Sequence, residues 1–342
     1  MAMKQLLQQL IEGGDLSRDQ TREAFELIMS GQVSDAQIGA FLAALACKGH
    51  TVEEITGAAE IMREKVTAVR APANVIDTCG TGGLSKGTFN ISSAVALVAA
   101  GGGVPVAKHG NRSVTSKSGA AEVYGELGVN IEADVATVER CIAEANVGFC
   151  FAPLLHPAMK YAIGPRREMA VRTIFNILGP LTNPAGAKRQ VMGVASPELT
   201  EQLARVLGNL GSLFVYVVHG MDGIDEISIS GPTQISVLNK GKIRTSTIEP
   251  SELGISGASM DDLRVESPGE SAKMIRDVLA GKKGSARDAV LVNAAAAFCV
   301  GGKAENLREG MELAAGSIDA GWAARALKDL VRISNEDPSG LS

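Results

Sequence analysis

From Pro72 onward the sequence alternates short apolar runs with helical patterns, and this alternation restricts the possible folds more than any other feature. Strands are predicted at residues 75–78, 104–107, 148–151, 191–194 and 213–218, and helices at residues 91–100, 120–127, 134–146 and 198–210. Such alternation is typical of a mostly parallel central sheet with helices packed on its faces. We therefore expect an α/β domain that binds its ligands at the carboxyl ends of the strands.

The segment before Pro72 has a helical pattern throughout. Three capping boxes open successive helices there, at Ser17 with Gln20, Ser34 with Gln37, and Thr51 with Glu54. A chain of 342 residues is also longer than one ordinary core requires. We expect a small N-terminal helical domain over residues 1–72, joined by helices from about residues 165–188, and a larger α/β domain over residues 73–342.

The charge distribution argues against a nucleic-acid surface and for small anionic ligands. The formal net charge is −5, which excludes a broadly basic protein. No carboxylate, however, occurs between Asp77 and Glu122 or between Glu144 and Glu168, and both stretches contain Lys, Arg and His. The alternative is that apolar helices simply dilute the acidic residues in these stretches.

Cysteine usage and hydropathy indicate where such a protein works. The five cysteines form no CxxC pair and lie mostly in apolar stretches, as reduced cysteines do. The N-terminus does not resemble a signal peptide, and no apolar span reaches about 18 residues. The four histidines are widely scattered, so we expect no transition-metal cluster. We expect a cytoplasmic protein that binds neither nucleic acid nor membranes.

A glycine-rich loop follows the first predicted strand. Its sequence, Cys79-Gly80-Thr81-Gly82-Gly83, precedes a helix that begins near Asn90, Ser92 and Ser93. Glycines let backbone N–H groups approach an anion, and a helix N-terminus adds favourable partial charge. Neither a dinucleotide fingerprint nor a Walker loop fits, because Ser85-Lys86-Gly87 stands where those motifs need other residues. The alternative is an ordinary tight turn.

Two further runs follow the carboxyl ends of later predicted strands. Lys108-His109-Gly110-Asn111-Arg112-Ser113 combines cations with neutral donors, as phosphate sites do, and Asp222-Gly223-Ile224-Asp225-Glu226 offers the hard oxygen ligands that Mg²⁺ prefers. A solvated basic turn and an acidic surface turn are the alternatives. Together the three strand ends predict a site for a phosphorylated sugar with a magnesium-bridged pyrophosphate.

Read together, these motifs resemble the anthranilate phosphoribosyltransferase family along nearly the whole chain. The matching stretches are DTCGTGG at residues 77–83, TFNIS at 88–92, KHGNRSVTSKSG at 108–119, the region around Arg166, RTIFNILGPLTNP at 172–184 and VHGMDGIDE at 218–226. The resemblance implies transfer of phosphoribose from 5-phosphoribosyl 1-pyrophosphate to the amine of anthranilate, in tryptophan biosynthesis. It also implies a homodimer formed through the helical domains, and Mg²⁺ as cofactor, with two ions per subunit.

The resemblance assigns site residues to each ligand. Phosphoribosyl pyrophosphate would be held by Gly80, Gly83, Leu84, Thr88, Asn90, Ile91, Ser92, Ser93, Lys108, His109, Gly110, Asn111, Arg112, Ser113, Val114, Thr115, Ser116 and Ala120. Anthranilate would meet Gly80, Asn111, His156 and Arg166, and Mg²⁺ would be bound by Ser92, Asp225 and Glu226. The amine of anthranilate is neutral at pH 7 and needs no deprotonation before attack. His109 is therefore only a candidate general base, and a role lining the acceptor site is favoured.

One position departs from the family pattern. Leu84 stands directly after the GTGG sequence, where the family has Asp, and so removes a charge from the loop richest in ligand contacts.

Two rival functions remain to be weighed. A pyrimidine nucleoside phosphorylase resembles this family in fold, but its substrate-binding patterns do not match here. A catalytically silent, nucleic-acid-binding paralogue would show a continuous basic groove and degraded metal carboxylates, whereas Asp225 and Glu226 are intact.

Overall fold

The computed structural model describes residues 3–82, 87–112, 119–256 and 258–336. Four helices open the chain: α1 (Met3–Ile11), α2 (Arg18–Met29), α3 (Asp35–Lys48) and α4 (Val52–Glu64). The three capping boxes predicted from the sequence are confirmed, because in each the side chain of the capping residue and that of the residue three positions later bond reciprocally to backbone N–H groups.

A seven-stranded sheet follows, in the spatial order β3-β2-β1-β4-β5-β6-β7. Its strands are β1 (Ile76–Gly80), β2 (Val106–Gly110), β3 (Val147–Phe151), β4 (Arg189–Gly193), β5 (Phe214–Gly220), β6 (Thr233–Asn239) and β7 (Lys242–Ile248). The first five are parallel, as predicted, and β6 and β7 extend the sheet as an antiparallel hairpin. The five predicted strands are confirmed with small shifts at their ends, and the hairpin was not predicted.

The remaining helices cover the sheet or connect its strands. In chain order they are α5 (Ile91–Gly101), α6 (Ala120–Glu126), α7 (Val135–Ala145), α8 (Ala152–Leu155), α9 (Lys160–Met169), α10 (Phe175–Leu178), α11 (Glu198–Asn209), α12 (Pro268–Leu279), α13 (Ser285–Val300), α14 (Leu307–Asp319) and α15 (Trp322–Ser334). Short 3₁₀ turns lie at Pro157–Met159, Gly179–Leu181, Pro250–Leu253 and Met260–Leu263. Among the helices that the structure describes, none is long and apolar enough to cross a membrane.

The small helical domain packs directly on the sheet. One apolar core joins Phe25 and Phe41 of the N-terminal helices to Phe175 of α10 and to Met192 and Val217 of the sheet. A second core, on the opposite side, joins α5 and α13 to the sheet. The helices expected over about residues 165–188 are present only as the end of α9, as α10 and as the 3₁₀ turn Gly179–Leu181, because Pro180 and Pro184 prevent a longer helix and the chain runs on into β4.

Candidate functional site

A cavity of about 400 Å³ opens where the carboxyl ends of β1, β2 and β5 meet the N-terminus of α5. This is the edge at which open α/β sheets bind ligands. Its described lining comprises Cys79, Gly80, Thr81, Gly82, Thr88, Phe89, Asn90, Ile91, Ser92, Lys108, His109, Gly110, Asn111, Arg112, Gly119, Ala120, Arg166, Arg172, Phe175, Asn176, Gly179, Pro180, Asp225 and Glu226.

A second cavity, of about 540 Å³, lies between α12 and the start of α13. Its lining charges largely satisfy one another, because Lys273 and Lys282 both bond to Asp277, at 3.0 and 3.2 Å. Ser285 likewise donates to Asp262 at 2.7 Å. The cavity at the strand ends instead brings together the buried side chains of Lys108, Asp225 and Glu226 at the carboxyl edge of the sheet, and it is therefore the candidate site.

The start of α5 forms one wall of the site. Asn90 caps the helix, because its Oδ1 accepts hydrogen bonds from the backbone N–H of Ser93 at 3.1 Å and from Ser92 Oγ at 3.3 Å. The Asn90 backbone N–H is itself held by Ser271 Oγ at 2.9 Å. The N-terminal end of an apolar, buried helix thus faces a cavity with hydroxyl and amide groups, an arrangement that favours phosphate.

Lys108 is buried below this wall. The side chain is 1% exposed, and its Nζ donates to Thr78 O at 2.5 Å and to Ser92 Oγ at 3.1 Å. Burial lowers the pKa of the ammonium, and the nearby Asp77 carboxylate opposes that shift. Lys108 therefore positions the Ser92 hydroxyl and supplies positive charge from beneath the cavity floor.

Asp225 and Glu226 lie beside the start of α5, where the Ser92 backbone N–H donates to the Glu226 carboxyl. Close backbone approach requires glycine at the end of β4, because a Cβ on Gly193 would lie 1.6 Å from Asp225 O; a Cβ on Gly80 would make a tight contact, at 3.1 Å, with the side-chain oxygen Asp225 Oδ2. Burial raises the pKa of both carboxyls, and for Glu226 burial together with the Asp225 charge raises the pKa to about 8, against the influence of Lys108. Two buried carboxylates with raised pKa values are a typical functional-site signature.

These donors fit Mg²⁺ better than a transition metal. Among the described residues no group of three or more His, Cys, Asp and Glu side chains could hold a metal ion. The site offers two carboxylates, and the Ser92 hydroxyl lines the same cavity. Mg²⁺ is commonly bound by one or two carboxylates together with water and substrate phosphates, so this incomplete oxygen set matches a metal that arrives with a phosphorylated substrate.

His109 lines the cavity and forms a buried pair with His156, which lies behind it. Their Nε2 atoms lie 3.1 Å apart, and His109 Nδ1 lies 3.1 Å from Gly179 O. A carbonyl only accepts, so Nδ1 of His109 carries the proton and its Nε2 must accept from His156. Burial lowers the pKa of His109 to about 3 and that of His156 to about 4. Both rings are neutral at pH 7, and the basic nitrogen of His109 is occupied by its partner.

A cationic and aromatic side of the cavity is built by the segment before β4. The Arg166 guanidinium lies 4.8 Å from the centre of the Phe175 ring, and burial lowers its pKa. Among the described residues no carboxylate forms an ion pair with Arg166. Arg172 and Asn176 also line this side, although they were not singled out in the sequence. Both lie in the RTIFNILGPLTNP run, which could have indicated them.

The structure brings most of the predicted residues together. Those that line the cavity are Gly80, Thr88, Asn90, Ile91, Ser92, Lys108, His109, Gly110, Asn111, Arg112, Ala120, Arg166, Asp225 and Glu226. Ser93 and His156 do not line it: Ser93 is fully buried under the start of α5, and His156 lies behind His109. Gly83, Leu84, Ser113, Val114, Thr115 and Ser116 lie outside the described residues.

Comparison with known proteins relates the whole chain to one family. Residues 4–66 match the helical bundle domain of a glycosyl transferase family, and residues 72–324 match the α/β domain of the same family. The anthranilate phosphoribosyltransferase of Xanthobacter autotrophicus is 49% identical over 334 residues, which cover 97% of each chain.

Solved structures with this name share the fold. The anthranilate phosphoribosyltransferase of Thermus thermophilus is 39% identical with a TM-score of 0.91, and the match covers 96% of this chain and 99% of that one. The Saccharomyces cerevisiae enzyme, solved in complex with PRPP (phosphoribosyl pyrophosphate) and Mg, is 28% identical with a TM-score of 0.88 and 97% coverage of both chains.

Proposed function

This chain belongs to the anthranilate phosphoribosyltransferase family of glycosyl transferases, and from that premise we propose how its own residues carry the reaction. The enzyme transfers the phosphoribosyl group of 5-phosphoribosyl 1-pyrophosphate to the amine of anthranilate, giving N-(5-phosphoribosyl)anthranilate and pyrophosphate in tryptophan biosynthesis. The observation that carries the residue assignment is one cavity whose walls are a helix N-terminus, a carboxylate pair and a cationic, aromatic side.

The phosphoribosyl pyrophosphate end lies at the start of α5 and the end of β2. Gly80, Thr88 and Asn90 border the helix N-terminus, which favours the pyrophosphate charge. Arg112 lies at the outer edge, 5.5 Å from the centre of the Phe151 ring and paired with Glu132 at 3.5 Å, so it can exchange Glu132 for a phosphate. The remaining contacts expected from the family motifs include Gly83 and residues 113–116.

The metal end uses Asp225, Glu226 and Ser92, and we propose Mg²⁺ dependence with two ions per subunit. The yeast relative's structure with PRPP and Mg supports magnesium use. When bound, Mg²⁺ neutralises the pyrophosphate and makes it a better leaving group. The buried carboxyls that would hold the metal lie close to Lys108, whose charge acts on Glu226.

The anthranilate end lies on the side of Arg166, Asn111 and Gly80. Arg166, which pairs with no described carboxylate, can form a charged hydrogen bond with the carboxylate of anthranilate. The Phe175 ring and the neutral His109–His156 pair provide an apolar surface behind it. Because both imidazoles are neutral and bonded to each other, they accommodate an aromatic acceptor without adding charge.

The reaction needs positioning and electrostatic stabilisation rather than a strong base. The neutral amine attacks C1 of the ribose, the bond from C1 to the pyrophosphate oxygen breaks, and the amine loses its extra proton after the attack. Lys108 and the α5 N-terminus lie where negative charge develops on the departing pyrophosphate. His109 stays a candidate for accepting the proton, but the hydrogen bond from His156 favours a lining role.

Leu84 is the position at which we propose altered substrate handling. It replaces the acidic residue that the family has after GTGG and lies outside the described residues. Activity survives because Ser92, Asp225 and Glu226 remain, while phosphoribosyl pyrophosphate affinity or the Mg²⁺ requirement changes. A Leu84→Asp variant titrated with Mg²⁺ tests this proposal, and an unchanged metal profile would contradict it.

We further propose the boundaries and setting of the molecule. The helical domain spans residues 1–72, with about 165–188 returning to it, which the core shared by Phe25 and Phe175 supports. A homodimer formed through the helical domains is supported by the exposed Ile11 and Ile163, on α1 and α9. Cytoplasmic localisation is supported by the five free cysteines. Sedimentation velocity tests the dimer, and a monomer at micromolar concentration would exclude it.

Replacing the carboxylate pair tests the proposed function. In the double variant Asp225→Asn with Glu226→Gln, steady-state turnover of anthranilate with Mg²⁺ should be abolished, because the metal loses both protein carboxylates. The folded state should persist, since neutral amides relieve two buried carboxyl groups of their desolvation cost. Retained Mg²⁺-dependent turnover in this variant would refute the assignment of the metal site.

A further inference from the structure

Asp225 and Glu226 lie on a short loop whose two ends are held by hydrogen bonds. On the upstream side, the Gly220 N–H donates to Ile224 O at 2.8 Å, which closes the loop onto the end of β5. On the downstream side, the first residue after Glu226 is Ile227, which is 1% exposed. Asp225 and Glu226 thus occupy the two positions between Ile224, which is hydrogen-bonded to the end of β5, and the buried Ile227.

Ile227 is tied through both of its backbone polar groups to one side chain. Its N–H donates to Asn293 Oδ1 at 2.9 Å, and its carbonyl accepts from Asn293 Nδ2 at 3.0 Å. The Asn293 Nδ2 also donates to Ala289 O, at 2.9 Å within α13. The Asn293 amide is 1% exposed, so these three bonds fix both its side-chain orientation and the peptide groups on either side of Ile227.

Asn293 is a polar residue within an otherwise apolar and buried part of α13. The segment that follows, Ala294–Ala297, consists only of alanine and is fully buried, and Val290 and Val292 precede it. A polar amide in such a helix costs stability unless its bonds are satisfied, as they are here. Helix packing alone does not require an amide at this position. Both hydrogen bonds that the Asn293 amide forms outside α13 go to Ile227, directly after the two carboxylates.

We propose that Asn293 is a positioning residue for the metal site, which holds the Asp225–Glu226 backbone in register with the neighbouring Ser92. This inference rests on the proposed function, because it assumes that the carboxylate pair binds Mg²⁺. Asn293 itself does not line the cavity, and it acts through the peptide groups of Ile227. Residues that orient metal ligands in this way commonly change metal affinity by roughly 10- to 100-fold when replaced.

The test compares Asn293→Leu and Asn293→Asp with a matched variant, Ser317→Ala. Leucine keeps the volume but removes both bonds to Ile227, and aspartate keeps an acceptor for the Ile227 N–H. Ser317 is also fully buried and bonds to Val98 O at 2.8 Å, but it lies on α14, so its loss reports only general destabilisation. Calorimetry measures phosphoribosyl pyrophosphate binding as Mg²⁺ is raised, without anthranilate and hence without turnover, and thermal unfolding is recorded in parallel.

We expect the Mg²⁺ concentration that supports half-maximal binding to rise at least about tenfold in Asn293→Leu, less in Asn293→Asp, and not at all in Ser317→Ala. Anthranilate binding, followed by its fluorescence, should stay unchanged in all three variants. An unchanged Mg²⁺ requirement in Asn293→Leu, or equal losses for both ligands, would overturn the proposal. The double variant Asp225→Asn with Glu226→Gln separates the two claims, because Mg²⁺-independent binding by wild type, or wild-type binding by that variant, would instead refute the metal site.

Discussion

At the residue scale, Arg166 is the side chain that we propose binds the carboxylate of anthranilate. Replacing Arg166 with alanine should raise the KM for anthranilate, because the loss of a charged hydrogen bond costs about 1.5–3 kcal/mol. This corresponds to a rise of roughly 10- to 100-fold, with a much smaller change in the KM for phosphoribosyl pyrophosphate. The neighbouring Arg167 is exposed and does not line the cavity, so Arg167→Ala is the matched control. Equal effects of the two substitutions would remove Arg166 from the anthranilate site.

The buried His109–His156 pair makes the free energy of unfolding depend on pH in the acidic range. Both pKa values lie below the ordinary value of 6.5, at about 3 and about 4. Their stabilisation is therefore fully present above about pH 6.5, and it falls as the pH drops towards those values. Each ring contributes at most about 1.4 kcal/mol per pH unit.

The measurement for this pair is urea unfolding of wild type and a His109→Gln, His156→Gln double variant from about pH 7 to about pH 4.5, the range that the shifted pKa values make informative. The free energy of unfolding of wild type should decline more steeply with falling pH than that of the variant, because the variant has no imidazoles to protonate. Parallel curves would show that the pair titrates normally and is not held neutral by burial.

At the scale of elements, the close approach of β4 to the carboxylate loop positions Asp225 and Glu226, the proposed metal ligands. A Cβ on Gly193 would lie 1.6 Å from Asp225 O, so Gly193→Ala must displace that loop. We expect kcat to fall by at least about 100-fold, since small displacements of catalytic groups carry losses of that size. Gly316→Ala, in α14 with nothing within 4 Å of the new Cβ, is the control and should leave turnover unchanged. Near-normal kcat in Gly193→Ala would contradict this geometry.

The sequence predicts those elements that short local patterns determine, and it does not predict those that depend on contacts between distant residues. The capping boxes and the five parallel strands follow from short patterns, and so does the meeting of the residues around Gly80, Lys108 and Asp225 at one sheet edge. The hairpin of β6 and β7 escaped prediction because β7 is largely exposed and shows little apolar alternation. The hydrogen bonds between Asn293 and Ile227 join residues 66 positions apart in sequence, and no local sequence pattern predicts such a contact.

On the scale of the whole molecule, a shared core makes the helical domain and the sheet one cooperative unit. Arg63 of α4 reinforces that core by donating to Leu181 O at 2.7 Å and to Leu210 O at 3.1 Å. Arg63→Met should lower the free energy of unfolding by about 1–3 kcal/mol for each carbonyl left without its partner. Differential scanning calorimetry should still show a single transition, at a lower temperature.

The control for this prediction is Arg22→Met, since Arg22 forms a partly exposed ion pair with Glu60 and should contribute no more than about 1 kcal/mol. Two separate transitions in wild type, with the first confined to the N-terminal helices, would show that the shared core does not couple the domains. Equal losses in the two variants would show that the buried guanidinium of Arg63 adds nothing beyond a surface contact.

The central claim, that one cavity joins anthranilate to phosphoribose with magnesium, is tested most directly by the fluorescence of anthranilate itself. The purified protein is mixed with anthranilate, and the signal is followed with phosphoribosyl pyrophosphate and Mg²⁺ together and with each alone. We predict a continuous loss of fluorescence only when both are present, with one pyrophosphate released for each anthranilate consumed. Constant fluorescence under all three conditions, from a folded protein, would contradict the account.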